Sequence, residues 1–318
     1  MRADRHDRRA GERGFALVLV IWGLGLIALI ALTVITAERY RILAAANVIE
    51  NARAEALAEA GINLVRLELT SVLAGAAAKA SRFAANGTPH VCALPGGALA
   101  ALAVEDEGGK VDLNTASPKL ISALLRGFGA GFDQADGLAA AIAEFAQASR
   151  GRVVDGAAFD AYAADGRAYG PKKAPFETVF ELDQVIGMRP ELVRAVLPYV
   201  TVHSRKPGVD PRAAAPALLA ALAGYEPATV AQLAAGGTLG AEVRGIPAEF
   251  LAPSTGRSFL VRAEVRTPSG GAFAQEALVE LTAGDPPDVL REWRRGARRF
   301  AALLDSIASR PDVTRPPC

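Results

Sequence analysis

The chain has 318 residues, 51% of them apolar and 22% charged, so it holds enough hydrophobic material to fold and too much to be intrinsically disordered. Its 35 basic side chains stand against 34 acidic ones, a net charge of +1 that supplies no general field for nucleic acid. The length leaves room for two compact units beyond an anchoring segment.

The first 14 residues mix Arg2, Arg5, Arg8, Arg9 and Arg13 with Asp4, Asp7 and Glu12, and an uncharged apolar run then extends from Phe15 to Ala37, ending at Glu38-Arg39. As a helix that run spans roughly 34 Å, enough for the ~30 Å hydrocarbon core of a bilayer. It exceeds the apolar core of about 7 to 15 residues in a secretory signal, whose cleavage site would also lie on its far side. The arginine excess places the N-terminus in the cytoplasm and everything after the span across the membrane. No proline occurs from Phe15 to Thr88, and the apolar pattern continues at helical spacing through Ile42, Ala45, Ala46, Ile49, Ala52, Ala56, Leu57, Ala60, Val65 and Leu69. A single helix over about 15–75 is therefore predicted, apolar all round in its first half and amphipathic in its second. Gly61 is its weak point, worth about 1 kcal/mol against alanine.

Leu99 to Glu105 and Lys110 to Leu113 flank the turn-rich Asp106-Glu107-Gly108-Gly109, which predicts a hairpin. Ser117-Pro118 opens a helix over Lys119 to Phe128, with further helices predicted at Asp136 to Ser149, Thr178 to Ile186, and Pro190 to Leu197 after the turn Gly187-Met188-Arg189. Val111 to Leu124 aligns without gaps on Val209 to Leu222, sharing the Val-Asp start and the proline that opens a helix, which suggests two related helical units. Ser258 to Arg266 and Glu276 to Leu281 alternate as strands around the turn Pro268-Ser269-Gly270-Gly271. Four antiparallel strands lying on the amphipathic half of the long helix follow, split by a helical segment. After Asp285, Arg291, Arg294, Arg295, Arg298 and Arg299 recur at helical spacing and read as a solvated basic helix, contact with a partner or a lipid surface being the alternative.

Cys92 and Cys318 suit an oxidising compartment as one disulfide, or stand as two separate thiols. His6, His90 and His203 have no cysteine or carboxylate near them at metal-ligand spacing and read as surface residues. Glu105, Asp106 and Glu107, and Asp160 with Asp165, carry the oxygen chemistry that suits Ca²⁺, against the simpler reading of solvated turns, since no stretch matches an EF-hand loop. No G-x-S-x-G elbow, Walker loop, H-E-x-x-H or paired-cysteine motif occurs, so catalysis is not expected. Leu182 to Leu197 has the outline of a helix-hairpin-helix, which offers a rival reading as a membrane-anchored, competence-like DNA-binding protein. Its hairpin, Gly187-Met188-Arg189, lacks the second glycine that would turn two N–H groups toward one phosphate, and nucleic acid is not the expected partner.

A short basic leader ending in Gly14, then Phe15, then a helix apolar in its first half and amphipathic in its second, resembles the class III signal of the type IV pilin and type II secretion pseudopilin superfamily. The resemblance implies cleavage between Gly14 and Phe15 by a prepilin peptidase, with N-methylation of Phe15. The family's glutamate at the fifth mature position is here Leu19, and a subunit without that buried carboxylate is expected at a filament's end. This departure is similar to the K-type minor pseudopilins. Asp106 to Asn114 resembles that family's acidic turn leading to a D-x-N strand end, and Phe176 to Met188 with Leu197 to Val202 resembles its PF-x-S-V-x-E-L … GM … PYVTV signature. Val209 to Leu222 resembles its V-N-P-x-T-A-P-x-x-V-L element, with Asp210 and Ala214-Ala215 in place of the usual polar residues.

The resemblance implies an α+β fold. A cleaved leader (1–14) precedes a transmembrane and spine helix (15–75), a pilin-like core (76–113 and 251–284), an inserted all-α domain with the helix-hairpin-helix-like unit (114–250), and a basic tail (285–318). It further implies a single-pass protein of the bacterial inner membrane with its body in the periplasm, at the tip of the pseudopilus. Its partners would be I-type and J-type minor pseudopilins, the major pseudopilin, the prepilin peptidase and the inner-membrane assembly platform. Some pseudopilins bind calcium, which keeps Ca²⁺ as the one cofactor to consider.

Overall fold

A computed structural model describes residues 10–75, 81–146, 156–236, 244–310 and 315–318. The strands are β1 (His90–Leu94), β2 (Ala98–Asp106), β3 (Val111–Asp112), β4 (Val200–Thr201), β5 (Ser258–Arg266), β6 (Ala272–Leu281) and β7 (Asp288–Arg295). The helices are α1 (Ala10–Leu73), α2 (Pro118–Gly127), α3 (Phe132–Ala146), α4 (Gly156–Ala164), α5 (Pro190–Val196), α6 (Pro216–Leu222), α7 (Pro227–Ala234) and α8 (Ala301–Ala308).

The long helix α1 is bare over its first half and meets the rest of the protein from Glu50 onward, where Thr267 donates to the Glu50 carboxylate at 2.8 Å. Its buried side is Ala54, Ala58, Gly61, Ile62, Val65 and Leu69, positions three or four apart that share one face. Most of the predicted stripe points elsewhere, because Ile42, Ala45, Ala46, Ile49, Ala52, Ala56 and Ala60 are exposed. Alanine stands at 52, 54, 56, 58 and 60, so several faces look equally small, and the sheet takes the one that contains Gly61. A Cβ on Gly61 would lie 2.8 Å from Leu102 Cδ2, so this glycine sets how closely helix and sheet approach.

Five strands form one antiparallel sheet in the order β1-β2-β5-β6-β7. Its spine-facing side carries Leu102, Val104, Phe259, Val261, Val265, Val279 and Leu281, which close a core against α1. The alternation around the Pro268–Gly271 turn is as the sequence predicts, and the register sets Arg262 opposite Glu276. The predicted hairpin over 99–113 does not form. After β2 a 3-10 turn at Glu107–Gly109 turns the chain away, and β3 pairs in parallel with β4 in a separate two-stranded sheet. That turn is engaged elsewhere: Gly108 O accepts the Asp210 N–H at 2.8 Å, and a Cβ on Gly109 would stand 2.6 Å from the Ala213 backbone.

The tail is also different from its prediction. Residues 288–295 are β7, the fifth strand of the sheet, because Asp288–Arg295 lies beside the carboxylates of β6: Arg294 faces Glu276, and Arg291 reaches Glu280 at 2.6 Å. The basic helix of the prediction is replaced by arginines spent on sheet glutamates, and α8 then covers Leu99 and Ala101 on the far face of β2 through Leu304. The core predicted to end at residue 284 thus continues beyond it, through β7 and α8.

The intervening segment closes its own core from Leu120, Leu124, Ile142, Phe145, Leu182 and Leu218. Ser117 accepts the Leu120 N–H and Pro118 begins α2, as predicted. Helix α3 starts at Phe132, before the predicted Asp136, and its predicted end beyond Ala146 lies outside the described residues. The predicted helix at 178–186 is 3-10, Val179–Gln184, held by a capping box of Thr178 and Glu181. The internal echo is real in the backbone. Asp112 Oδ1 accepts the Asn114 N–H at 2.9 Å and Asp210 Oδ1 accepts the Arg212 N–H at 3.0 Å. Their carbonyls accept the N–H groups of Ala116 and Ala214, and α2 and α6 follow from Pro118 and Pro216. The two helices meet where Gly127 lies against Ala221, with a Gly127 Cβ only 2.6 Å from Ala221 Cα.

Candidate functional site

Two regions carry the residues singled out by the sequence: the bare half of α1, and the polar face between the sheet and the helical segment. Gly14 and Phe15 lie within the continuous helix α1, and Phe15 and Leu19 are 70% and 58% exposed. From Phe15 to Leu43 almost every large apolar side chain is exposed, including Trp22, Ile27 and Ile35. This is the one described helix long and apolar enough to cross a membrane, with a mean hydropathy of 2.8 in its most apolar window. Residues 38–49 lift the folded body roughly 18 Å beyond the apolar run, at about 1.5 Å per residue.

Behind the sheet, the side of β5 and β6 turned away from α1 carries charge. Arg262 is buried and bridges two glutamates: its Nε donates to Glu276 at 2.8 Å and its Nη1 to Glu105. Lys110 follows on the same network, 3.1 Å from Glu105 and 2.6 Å from Glu107. Burial alone would raise the Glu105 carboxyl, but Lys110 and Arg262 outweigh it and hold it down to about 2. Burial is likewise overcome at Glu276 by Arg262 and Arg294, which lower it. At the outer end His203 Nε2 stands 3.3 Å from Glu292, and Arg294 lies over the Phe180 ring. Glu107, Lys110, Arg262, Glu276, His203 and Arg294, with Leu260, Pro198 and Arg299, line a cleft of about 270 Å³ between the two cores. Arg299 reaches into it with its guanidinium lowered by burial and by the nearby charge of Arg262.

The acidic residues considered for Ca²⁺ are therefore not grouped as one set of ligands. Glu105 and Glu107 neutralise Lys110 and Arg262, while Asp106 accepts from the Gly108 N–H and the Ser254 hydroxyl, each at 2.8 Å. Asp160, within α4, and Asp165, just after it, are exposed, with Arg167 2.9 Å from Asp165. Among the described residues no group of three or more His, Cys, Asp or Glu side chains stands ready to hold a metal ion. Cys92 and Cys318 are joined as a disulfide, their Cα atoms 5.0 Å apart. At the helix-hairpin-helix-like turn Gly187 has φ +78°, yet Met188 is buried in the helical core and Arg194 is 3.5 Å from Glu191. His90 packs edge-on against Phe83, and His6 lies outside the described residues.

Reasoning from sequence missed the Arg262 network, although its signal was present. A turn centred on Ser269 sets position 262 opposite 276, so Arg262 and Glu276 are a cross-strand pair on the face opposite Val261 and Ala277.

Residues 99–205 match the family model for Type II secretion system (T2SS), protein K. The chain is also similar to a chain of the crystal structure of the GspK-GspI-GspJ complex from the enterotoxigenic Escherichia coli Type 2 Secretion System. That likeness has a TM-score of 0.51 at 16% sequence identity and covers 81% of this chain and 99% of that one; at such identity it is a likeness of fold. No curated protein matches the chain.

Proposed function

Because residues 99–205 match the family model for type II secretion system protein K, we propose that this chain is the minor pseudopilin at the tip of a type II secretion pseudopilus, where it initiates assembly and serves protein export. The carrying observation is that family match on a body raised on a helix whose first half is left bare. A bare apolar half suits first a bilayer and then the spine bundle of a filament. Prepilin peptidase would cut between Gly14 and Phe15 and methylate Phe15, leaving Leu19 where filament subunits of the superfamily carry glutamate. The helical segment, broad beside the narrow spine, would sit at the top and stop further subunits from adding.

The partners on this reading are I-type and J-type minor pseudopilins, since a fold-related chain was solved in a GspK-GspI-GspJ complex, followed by the major pseudopilin and the inner-membrane assembly platform. The chain would act by assembly rather than by catalysis, anchored in the inner membrane with its body in the periplasm. The deciding experiment is co-expression of the full chain with its I-type and J-type partners, extraction in mild detergent, and affinity capture. A stoichiometric ternary complex is expected; repeated failure of either partner to co-purify overturns the tip assignment.

A further inference from the structure

Strand β1 forms one edge of the five-stranded sheet, and an open edge offers unpaired N–H and C=O groups to any extended chain. Here that edge is occupied by the chain's own last described residues. Ala93 donates its N–H to Pro316 O at 2.8 Å and accepts from the Cys318 N–H at 3.1 Å, the pattern of a parallel strand pair. Cys318 is bonded to Cys92, whose side chain is fully buried in the spine core. The same short segment is held at both ends. Arg315 Nη2 donates to Ile307 O and Arg310 O, each at 3.1 Å, at the end of α8. Arg82 Nη1 donates to Cys318 O at 2.8 Å while its Nε donates to Glu68 of α1 at 2.6 Å.

We propose that residues 315–318 are a redox latch: the Cys92–Cys318 bond holds them on β1 and keeps that edge shut, and its reduction opens the edge to strand pairing. Two backbone hydrogen bonds join the segment to β1 and side-chain bonds of Arg82 and Arg315 hold its ends, and the covalent bond is what fixes it on that edge. The bond links residues 226 apart in sequence, so it closes only when β1 and the segment beyond α8 have both reached their places. Opening is ordinary thiol–disulfide exchange: a dithiol attacks the bridge, passes through a mixed disulfide and leaves as its own cyclic disulfide. Two electrons and two protons thereby end on Cys92 and Cys318 as thiols. The inference is independent of the secretion reading.

The test is amide hydrogen exchange on the full chain in detergent micelles, oxidised and after treatment with dithiothreitol, together with the Cys318→Ser variant. Protection of the Ala93 amide is expected to fall roughly tenfold or more in the reduced protein and in the variant, while Val261 in the central strand β5 keeps its protection. Unchanged protection at Ala93 overturns the latch, since the hydrogen bonds would then suffice. Loss at both Ala93 and Val261 overturns it too, since the bond would be a staple of the whole core. Ala93→Pro, which removes the donor and leaves both cysteines, should let dithiothreitol reduce the bridge several-fold faster; an unaltered rate counts against the latch.

Discussion

Glu105 shows how one side chain ties charge to stability. Its carboxyl, drawn down to about 2 by Lys110 and Arg262 against the opposing effect of burial, lies below its ordinary 4.5. Its stabilisation is therefore complete above pH 4.5 and fades as the pH falls toward 2, a contribution on the order of 3 kcal/mol. Glu105→Gln should lower the melting temperature at pH 7 and flatten its dependence on pH between 4.5 and 2; a variant whose acid profile parallels the parent would show that the network carries no such energy. A second residue is fixed by space rather than charge. A Cβ on Gly271 would stand 2.4 Å from the backbone oxygen of Glu50, where the β5–β6 turn touches α1, and backbone cannot step aside as a side chain can. Gly271→Ala should cost about 1–3 kcal/mol in denaturant titrations, while Gly131→Ala, with open space around it, should cost little. At the leader, Gly14→Leu is expected to leave unprocessed chain, so that N-terminal sequencing no longer finds Phe15 as the first residue.

At the scale of elements, the two related units of the helical segment make the same use of an aspartate. Asp112 accepts from Asn114 N–H and, through its other oxygen, from Arg205 N–H at 2.8 Å and the Ser204 hydroxyl. Asp210 accepts from Arg212 N–H and, through its other oxygen, from Ser254 N–H at 2.9 Å. Each carboxylate fixes the turn into a helix and pins a distant strand of chain against it. Asp112→Ala and Asp210→Ala should each destabilise by about 1–3 kcal/mol, because each leaves backbone donors without partners; a loss confined to one of them would mean that the units have ceased to be equivalent.

The sequence displayed this repetition plainly, since a Val-Asp start and a helix-opening proline are specific signals even among many alanines. The strands β5 and β6 were equally legible from alternation around a glycine-rich turn. The buried face of α1 was not, because alanines at every second position make several faces alike, and only the sheet's approach at Gly61 selects one. Strand β7 was hidden for a different reason: arginines at 291, 294, 295, 298 and 299 satisfy helical spacing, and what makes them a strand is the row of glutamates on β6 that they meet. The expectation at Gly14, Phe15 and Leu19 rests on local pattern alone, whereas Lys110, Arg262 and His203 come together only through the fold.

For the whole molecule, the decisive fact is that charged pairs cross between the two cores, beside Leu260 and Leu278 of the sheet and Leu197, Pro198 and Val200 of the helical segment. The helical segment reaches the sheet with His203 on Glu292, Arg205 3.5 Å from Glu280, and the Phe180 ring under Arg294. Lys110, at the junction of the two, is raised because Glu107 and Glu105 outweigh its burial. Glu292 is lowered first by the hydrogen bond from His203, and Glu276 is lowered by Arg262 and Arg294 despite burial. Glu292 and Glu105 help join the two parts above their ordinary pKa and lose that hold as the pH falls through their folded values, while Glu276 is held within the sheet by Arg262 and Arg294. Each core, by contrast, is closed by aliphatic and aromatic side chains that acid leaves alone. Scanning calorimetry at pH 7 should therefore show one cooperative transition for the folded body, and at about pH 3 two separated transitions, one for the helical segment and one for the sheet on its spine. A single transition with equal calorimetric and van't Hoff enthalpies at both pH values would mean that the covalent crossings and the Ser254–Asp210 contacts couple the cores without help from the ion pairs.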